Sequence, residues 1–257
     1  MSSLARGTEP NRPRTRHSKT PRAAIVLADR MRARIIEGGW PDGASVPEST
    51  LVASSGFSRA TVREALRLLE ADGLAETRRG PGGGIKVTEP GLAQVARSLA
   101  ILVTLAEVPL ADLFAFRILI EPAAAHMAAV HATGPQRDEL VRLSSTDGGP
   151  RFADEVAFHT VVAEAAHNEL IRIMMLAPHE LLRFHLQSEA VTPADVAAAN
   201  RAHRAIAQAI GEGDETRAER TMRAHLSSFE ALMREHGRLE QPIVVRDQFE
   251  EAQSWLR

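Results

Sequence analysis

The sequence predicts a mainly α-helical chain in two parts. The first is a small N-terminal unit of short helices closed by a β-hairpin, and the second is a larger all-α bundle of six or seven helices. Three observations lead there. Apolar residues recur at helical spacing through most of the 257 residues, while paired strand patterning is confined to one stretch, Leu74 to Glu89. Charge changes sign near Pro90: residues 1–90 carry fifteen Lys and Arg against ten Asp and Glu, and residues 91–257 carry sixteen against twenty-three. The length also suits two cores better than one.

Composition narrows the class. With no cysteine, the chain has neither disulfides nor thiolate metal sites, so any bound metal depends on histidine and carboxylate. No apolar run approaches the roughly 18 residues of a membrane span, and the polar, Arg-rich start has no signal-peptide core. A cytoplasmic protein with no membrane partner is expected. A basic half joined to an acidic half suits a DNA-contacting unit attached to one that stays off the phosphates.

Taken in order, residues 1–20 contain Arg12, Arg14, Arg16 and Lys19 and almost nothing apolar, which predicts a disordered basic tail or an arm that touches phosphates. From Pro21, Ile25, Ala28, Met31 and Ile35 mark one helix face, and Gly38-Gly39 end it. After the turn Pro41-Asp42-Gly43, the Ser45-x-x-Glu48 pattern predicts a capped helix start, with the helix running to about Ser55 before Gly56. Ser58 caps a further helix, "SRATVREALRLLEADG", in which Val62, Ala65, Leu66 and Leu69 make one apolar stripe. Gly56, Phe57 and Ser58 thus form a three-residue turn between two short helices. "LAETRRGPGGGIKVTE" then reads as two strands around a glycine-rich tip. This order is that of a winged helix-turn-helix over 21–90.

From Leu92 the pattern becomes helical throughout, with segments near 92–107, 110–131, 136–145, 151–166, 168–187, 193–211 and 214–236. The bundle should occupy 91–237. Residues 238–257, with Pro242 and the β-leaning Ile243-Val244-Val245, are ambiguous between strand and tail.

Arg59, Arg63 and Arg67 recur every four residues and so line one face of the helix from Ser58, with the hydroxyls of Ser58 and Thr61 at its start. Arginines in that position can bind guanine edges or clamp phosphates in a major groove. The competing reading is a solvated helix whose Arg63 or Arg67 pairs with Glu64 or Glu70. "VPESTLVASSGFSRATVREALRLLEADGL" followed by "RRGPGGGIKV" resembles the winged-helix domain of GntR-type regulators. The resemblance implies that Arg59 and Arg63 contact bases or phosphates and that the wing at Gly82, Gly83 and Gly84 enters the minor groove. Ser49 stands where many members carry an arginine.

In the second half, Glu155 and His159 lie four apart on one helix, and His203 and His225 fall on two others. Three imidazoles and a carboxylate suit a divalent Zn, Ni, Mn or Fe ion in a bundle core; the alternative is separate polar residues at core edges. The pattern also resembles the FCD ligand-sensing domain that follows FadR-type GntR winged helices. That resemblance implies a metal held by Glu155, His159, His203 and His225, with open positions taken by the carboxylate of a small organic acid effector. Asp154 is the alternative to Glu155. Arg117 either faces this cavity as a carboxylate anchor or pairs with Glu121, four residues on. Asn168 either lines the cavity or caps the next helix.

Together these readings predict a metabolite-responsive repressor, not an enzyme, that binds palindromic double-stranded operator DNA as a homodimer, because one short recognition helix spans only a few base pairs. Two other readings of the four ligands stay open: a regulator for which the ion itself is the signal, and a metal-dependent enzyme.

Overall fold

The computed structural model describes residues 22–78, 83–145, 152–186 and 192–246, so the tail at 1–20 and Gly82 lie outside the described residues, as does the side chain of Asp154. Two compact units divide at Pro90, one spanning 1–90 and the other 91–257.

In the first unit, α1 (Arg22–Ile36) packs on α3 (Arg59–Ala71), and α2 (Glu48–Ser55) precedes α3 across a short turn. Gly56 closes α2 in the left-handed conformation, with φ 71°, and the Ser58 hydroxyl accepts from the Thr61 backbone N–H at 3.2 Å to open α3. Val62, Ala65, Leu66 and Leu69 are buried against Leu27, Ala28 and Met31 of α1 and Ile85 and Val87 of the sheet, so the apolar stripe read from sequence is the core.

One expectation needs correction. Ser45 does not cap α2: Ser45–Pro47 is a strand, β1, and α2 begins only at Glu48. β2 (Ala75–Arg78) and β3 (Gly84–Val87) form the expected hairpin, but β1 pairs antiparallel with the other side of β3, which gives the sheet order β1-β3-β2. Pro47, extended at φ −62° and ψ 141°, holds the chain in strand geometry up to the helix. Gly84 is required here, since a Cβ on it would lie 2.1 Å from the Val46 carbonyl oxygen.

Among the described residues, seven helices build the second unit: α4 (Leu92–Leu105), α5 (Leu110–His131), α6 (Gly134–Leu143), α7 (Phe152–Ala165), α8 (Glu169–Leu186), α9 (Pro193–Glu212) and α10 (Glu215–Glu235). α5 packs against α7, α8, α9 and α10. Ala124, Ala125, Ala128 and Ala129 on α5 let those helices approach closely. Contrary to the expectation from sequence, α5 is long and apolar enough to cross a membrane by length and composition. Half of its apolar window is buried within the bundle, as in a central core helix. Pro122 within α5 cannot donate to the Ile118 carbonyl, and the Arg223 guanidinium from α10 donates to that oxygen at 3.2 Å instead. Residues 239–244 are not a free tail. Ile243 and Val244 are buried, and the Ile243 N–H donates to the Val108 carbonyl at 2.9 Å.

Candidate functional site

Two sites can be built, one in each unit. In the first, Arg59, Arg63 and Arg67 stand exposed along α3, on the side away from its buried stripe. Each meets an acid. Arg67 pairs with Glu64 at 3.0 Å, whereas Arg63 donates through Nε to both oxygens of Glu48 at 3.1 Å, and Arg59 Nε lies 3.8 Å from the same carboxylate. Glu48 was not among the acids considered from sequence, because it belongs to α2, fifteen residues before Arg63. The Ser58 hydroxyl caps α3 and shares a 2.9 Å hydrogen bond with the Thr61 hydroxyl. Gly83 accepts from the Glu48 N–H, and Gly84 is buried at the base of the wing rather than at its tip.

In the second unit, α7 presents Glu155 and His159, α9 presents His203 and α10 presents His225 to one point. The Nε2 atoms of His203 and His225 are 3.2 Å apart, and those of His225 and His159 are 3.3 Å apart. Glu155 Oε1 lies 3.5 Å from His203, 3.7 Å from His225 and 3.9 Å from His159. An ion with bonds of about 2.1 Å sets neighbouring donors roughly 3.0 to 3.4 Å apart, so small side-chain shifts close this set around one cation. The electrostatics agree. Burial drives His203 down to about 4, and burial together with the neighbouring His203 drives His225 well below its ordinary value, so both imidazoles are neutral near pH 7 and keep a lone pair for a ligand. Burial opposes ionisation of Glu155, but the neighbouring His203, His159 and His225 outweigh it and hold the carboxyl well below its usual range. Three imidazole nitrogens that converge on one carboxylate oxygen at these distances cannot all be satisfied by one another, and a shared cation satisfies them together. The residues present therefore fit a divalent ion.

Behind the quartet lies a layer in which the sequence reading had weighed the Arg117–Glu121 pair but missed His179 and the contact of Glu121 with His159. His159 turns Nδ1 toward Glu121 Oε2 at 2.6 Å, while Glu121 Oε1 lies 2.9 Å from His179 Nε2. Arg117 pairs with the same carboxylate, and all four side chains are buried. Burial would raise the Glu121 carboxyl, but Arg117, His159 and His179 together hold it well below its ordinary value. His159 is lowered by burial and raised more by the Glu121 charge and hydrogen bond, with a net upward shift. A carboxylate that accepts from the far nitrogen of a ligating histidine fixes the ring and its tautomer. Glu121, His159 and His179 are themselves close enough to form a second three-residue metal set. Arg117 already supplies the positive charge beside Glu121, so an ion there would be repelled. On the other side of the quartet, the Phe158 ring stacks on His203 at 4.0 Å. His225 also lines an open groove of about 440 Å³ between α9 and α10, walled by Ala198, Ala202, Ala224 and Phe229.

Comparison with known proteins places both units. Residues 25–87 match the family described as bacterial regulatory proteins, gntR family, and residues 112–228 match the FCD domain. A protein of Escherichia coli K12 named as an L-lactate dehydrogenase operon regulatory protein is 31% identical over 230 residues, which cover 83% of this chain and 87% of that one. The chain belongs to the GntR family. The transcriptional regulator LutR of Bacillus subtilis is 29% identical over 197 residues, 71% of this chain and 88% of its own. Among solved structures, Streptococcus agalactiae GntR is 27% identical with a TM-score of 0.61, covering 81% of this chain and 99% of that one.

This GntR protein is thus a transcription regulator with a DNA-binding helix-turn-helix and an FCD domain, and not an enzyme. Arg117 is ion-paired with Glu121 through Nε and one terminal amino group, and its side chain is 3% exposed. Asn168 caps α8 through Oδ1, which accepts from the Ile171 N–H at 3.1 Å, and it lines a separate surface pocket with Gln136, His167 and Arg172. Sequence held one signal for the missed His179, which sits four after Met175 on a buried face.

Proposed function

We propose that this regulator is a cytoplasmic, metabolite-responsive repressor that binds a palindromic operator as a homodimer and carries a metal-assisted site for a small organic acid in its FCD domain. The observation that carries the sensor half is the convergence of Glu155, His159, His203 and His225 from three helices, backed by Glu121. When bound there, a divalent ion such as Zn, Ni, Mn or Fe supplies Lewis-acid positions that a carboxylate oxygen can occupy. Glu155, His203 and His225 hold the ion, Glu121 orients His159, and the groove beside His225 gives a path from solvent. α9 and α10 both bear ligands, so occupancy of the centre biases the packing of the bundle, and a differential affinity of effector for two packings shifts their populations. The name of the E. coli relative makes L-lactate the first acid to try.

The DNA half rests on Arg59, Arg63 and Arg67 on a capped helix beside a glycine wing. Arg63→Ala should weaken specific binding by about 1 to 3 kcal/mol if it reads a base.

The test joins metal to signal. His203→Ala should lose the stoichiometric metal that elemental analysis finds in the wild type, and full occupancy in that variant refutes the ligand set. With wild-type protein, metal at 100 times its Kd should stabilise the fold by about 2.7 kcal/mol. L-lactate or a related acid added on top should shift operator affinity further. If chelation alone abolishes DNA binding and no acid changes it, the ion is the signal and the effector reading fails.

A further inference from the structure

The DNA-facing side of the first unit includes an acid that composition alone would not place there. Glu48 opens α2 with its side chain 18% exposed, while Arg63, which it pairs with, is 62% exposed. A carboxylate on a face that meets phosphates lowers non-specific affinity, so its presence calls for a compensating role. The bonding pattern suggests one. A guanidinium has an Nε edge and an edge formed by its two terminal amino groups. Arg63 donates through Nε to both Glu48 oxygens at 3.1 Å, which leaves the terminal pair to reach O6 and N7 of one guanine. An untethered arginine would lose its rotamer freedom on docking, and a tethered one has lost it already.

Glu48 is in turn fixed from the wing. Its backbone N–H donates to the Gly83 carbonyl at 2.9 Å, and Pro47 pairs with Gly84. A Cβ on Gly84 would stand 2.7 Å from Pro47 Cα and 2.8 Å from the Glu48 nitrogen, so this junction between wing and helix-turn-helix closes only over glycine. The base of the wing, the start of α2 and the reading arginine of α3 form one chain of contacts.

We propose that Glu48 is a positioning residue for operator reading: its carboxylate tethers Arg63 through Nε so that the terminal amino groups meet a guanine in each half-site. This rests on the reading of Arg63 as a base contact. Arg59, whose Nε is 3.8 Å from the same carboxylate, is held less firmly and serves the phosphates.

The test starts from an operator selected out of random duplexes by the intact wild-type protein, compared with a random duplex of equal length. Glu48→Gln preserves size and removes the charge, and its thermal melt checks the fold. The operator Kd should rise about tenfold, within what one bidentate guanine contact is worth, while the random-duplex Kd holds or falls. In an Arg63→Ala background, the same change should alter the ratio of the two constants by less than about twofold. If Glu48→Gln tightens both duplexes equally, Glu48 is only a repelling charge and the tether is overturned. An undiminished tenfold loss in the Arg63→Ala background also overturns it, because Glu48 then acts independently of Arg63. Loss in Arg63→Ala without loss in Glu48→Gln overturns the tether alone. An operator titration unchanged in Arg63→Ala overturns the base-contact reading and the tether with it.

Discussion

Arg63 in the first unit and Arg117 in the second each face a glutamate at hydrogen-bond distance, yet one guanidinium is 62% exposed and the other 3%. The pairs are chemically alike and differ in solvent. At the surface, two unit charges 4 Å apart attract by about 1 kcal/mol in bulk water and about 4 kcal/mol at the intermediate polarity near a protein, and measured exposed pairs contribute about 0 to 1 kcal/mol net. Such a pair is readily exchanged for a phosphate or a base edge. Within the bundle, both ions of the Arg117–Glu121 pair have left water, and neither partner can depart without stranding a charge. The exposed pairs along α3 are thus replaceable contacts, whereas the buried pair in the bundle holds its place.

The sharpest way to break this contrast is to remove Arg117. Arg117→Ala should cost about 3 to 5 kcal/mol of stability by urea unfolding, because Glu121 is left buried beside His159 and His179 with less counter-charge. A loss below about 1 kcal/mol would mean that the bundle relaxes to admit water and that the two pairs are not different in kind. A subtler change leaves Arg117 and alters its partner. Glu121→Gln keeps the shape but weakens acceptance from His159 Nδ1, and metal affinity, measured by competition with a chelator, should fall about 10- to 100-fold. Unchanged affinity would make Glu121 a partner of Arg117 alone.

The same contrast explains what sequence could and could not reveal. The recognition helix was legible because its apolar stripe, its Ser58 cap and its arginines are all local, within one helical segment. The convergence of Glu155, His159, His203 and His225 could be anticipated as residue types on three helices, since an i,i+4 pair and two helix-borne histidines need only the helical period. What stayed hidden depends on long-range packing. β1 is three residues long, too short for a period, and its partner Gly84–Lys86 lies about forty residues on. Glu48 meets Arg63 across the helix-turn-helix angle, which no spacing rule encodes. His179 joins Glu121 across 58 residues, and only its position after Met175 hints that it is buried. For Arg117, sequence left two partners open, and the structure shows the pair with Glu121 at i+4, buried on both sides.

The smallest expected effect sharpens the surface side of the comparison. Arg67 is 74% exposed and pairs with Glu64 one turn back on α3, without the tether Glu48 gives Arg63. Arg67→Ala should therefore change unfolding free energy by less than about 0.5 kcal/mol. Its contribution should appear only on DNA, as a uniform weakening across operator and random duplexes with a salt slope reduced by about one, the signature of a phosphate contact. Because the loss is the same for both duplexes, the specificity ratio should not move, in contrast to Arg63→Ala. A ratio that falls in Arg67→Ala would place base reading further along α3 than the Glu48 tether reaches.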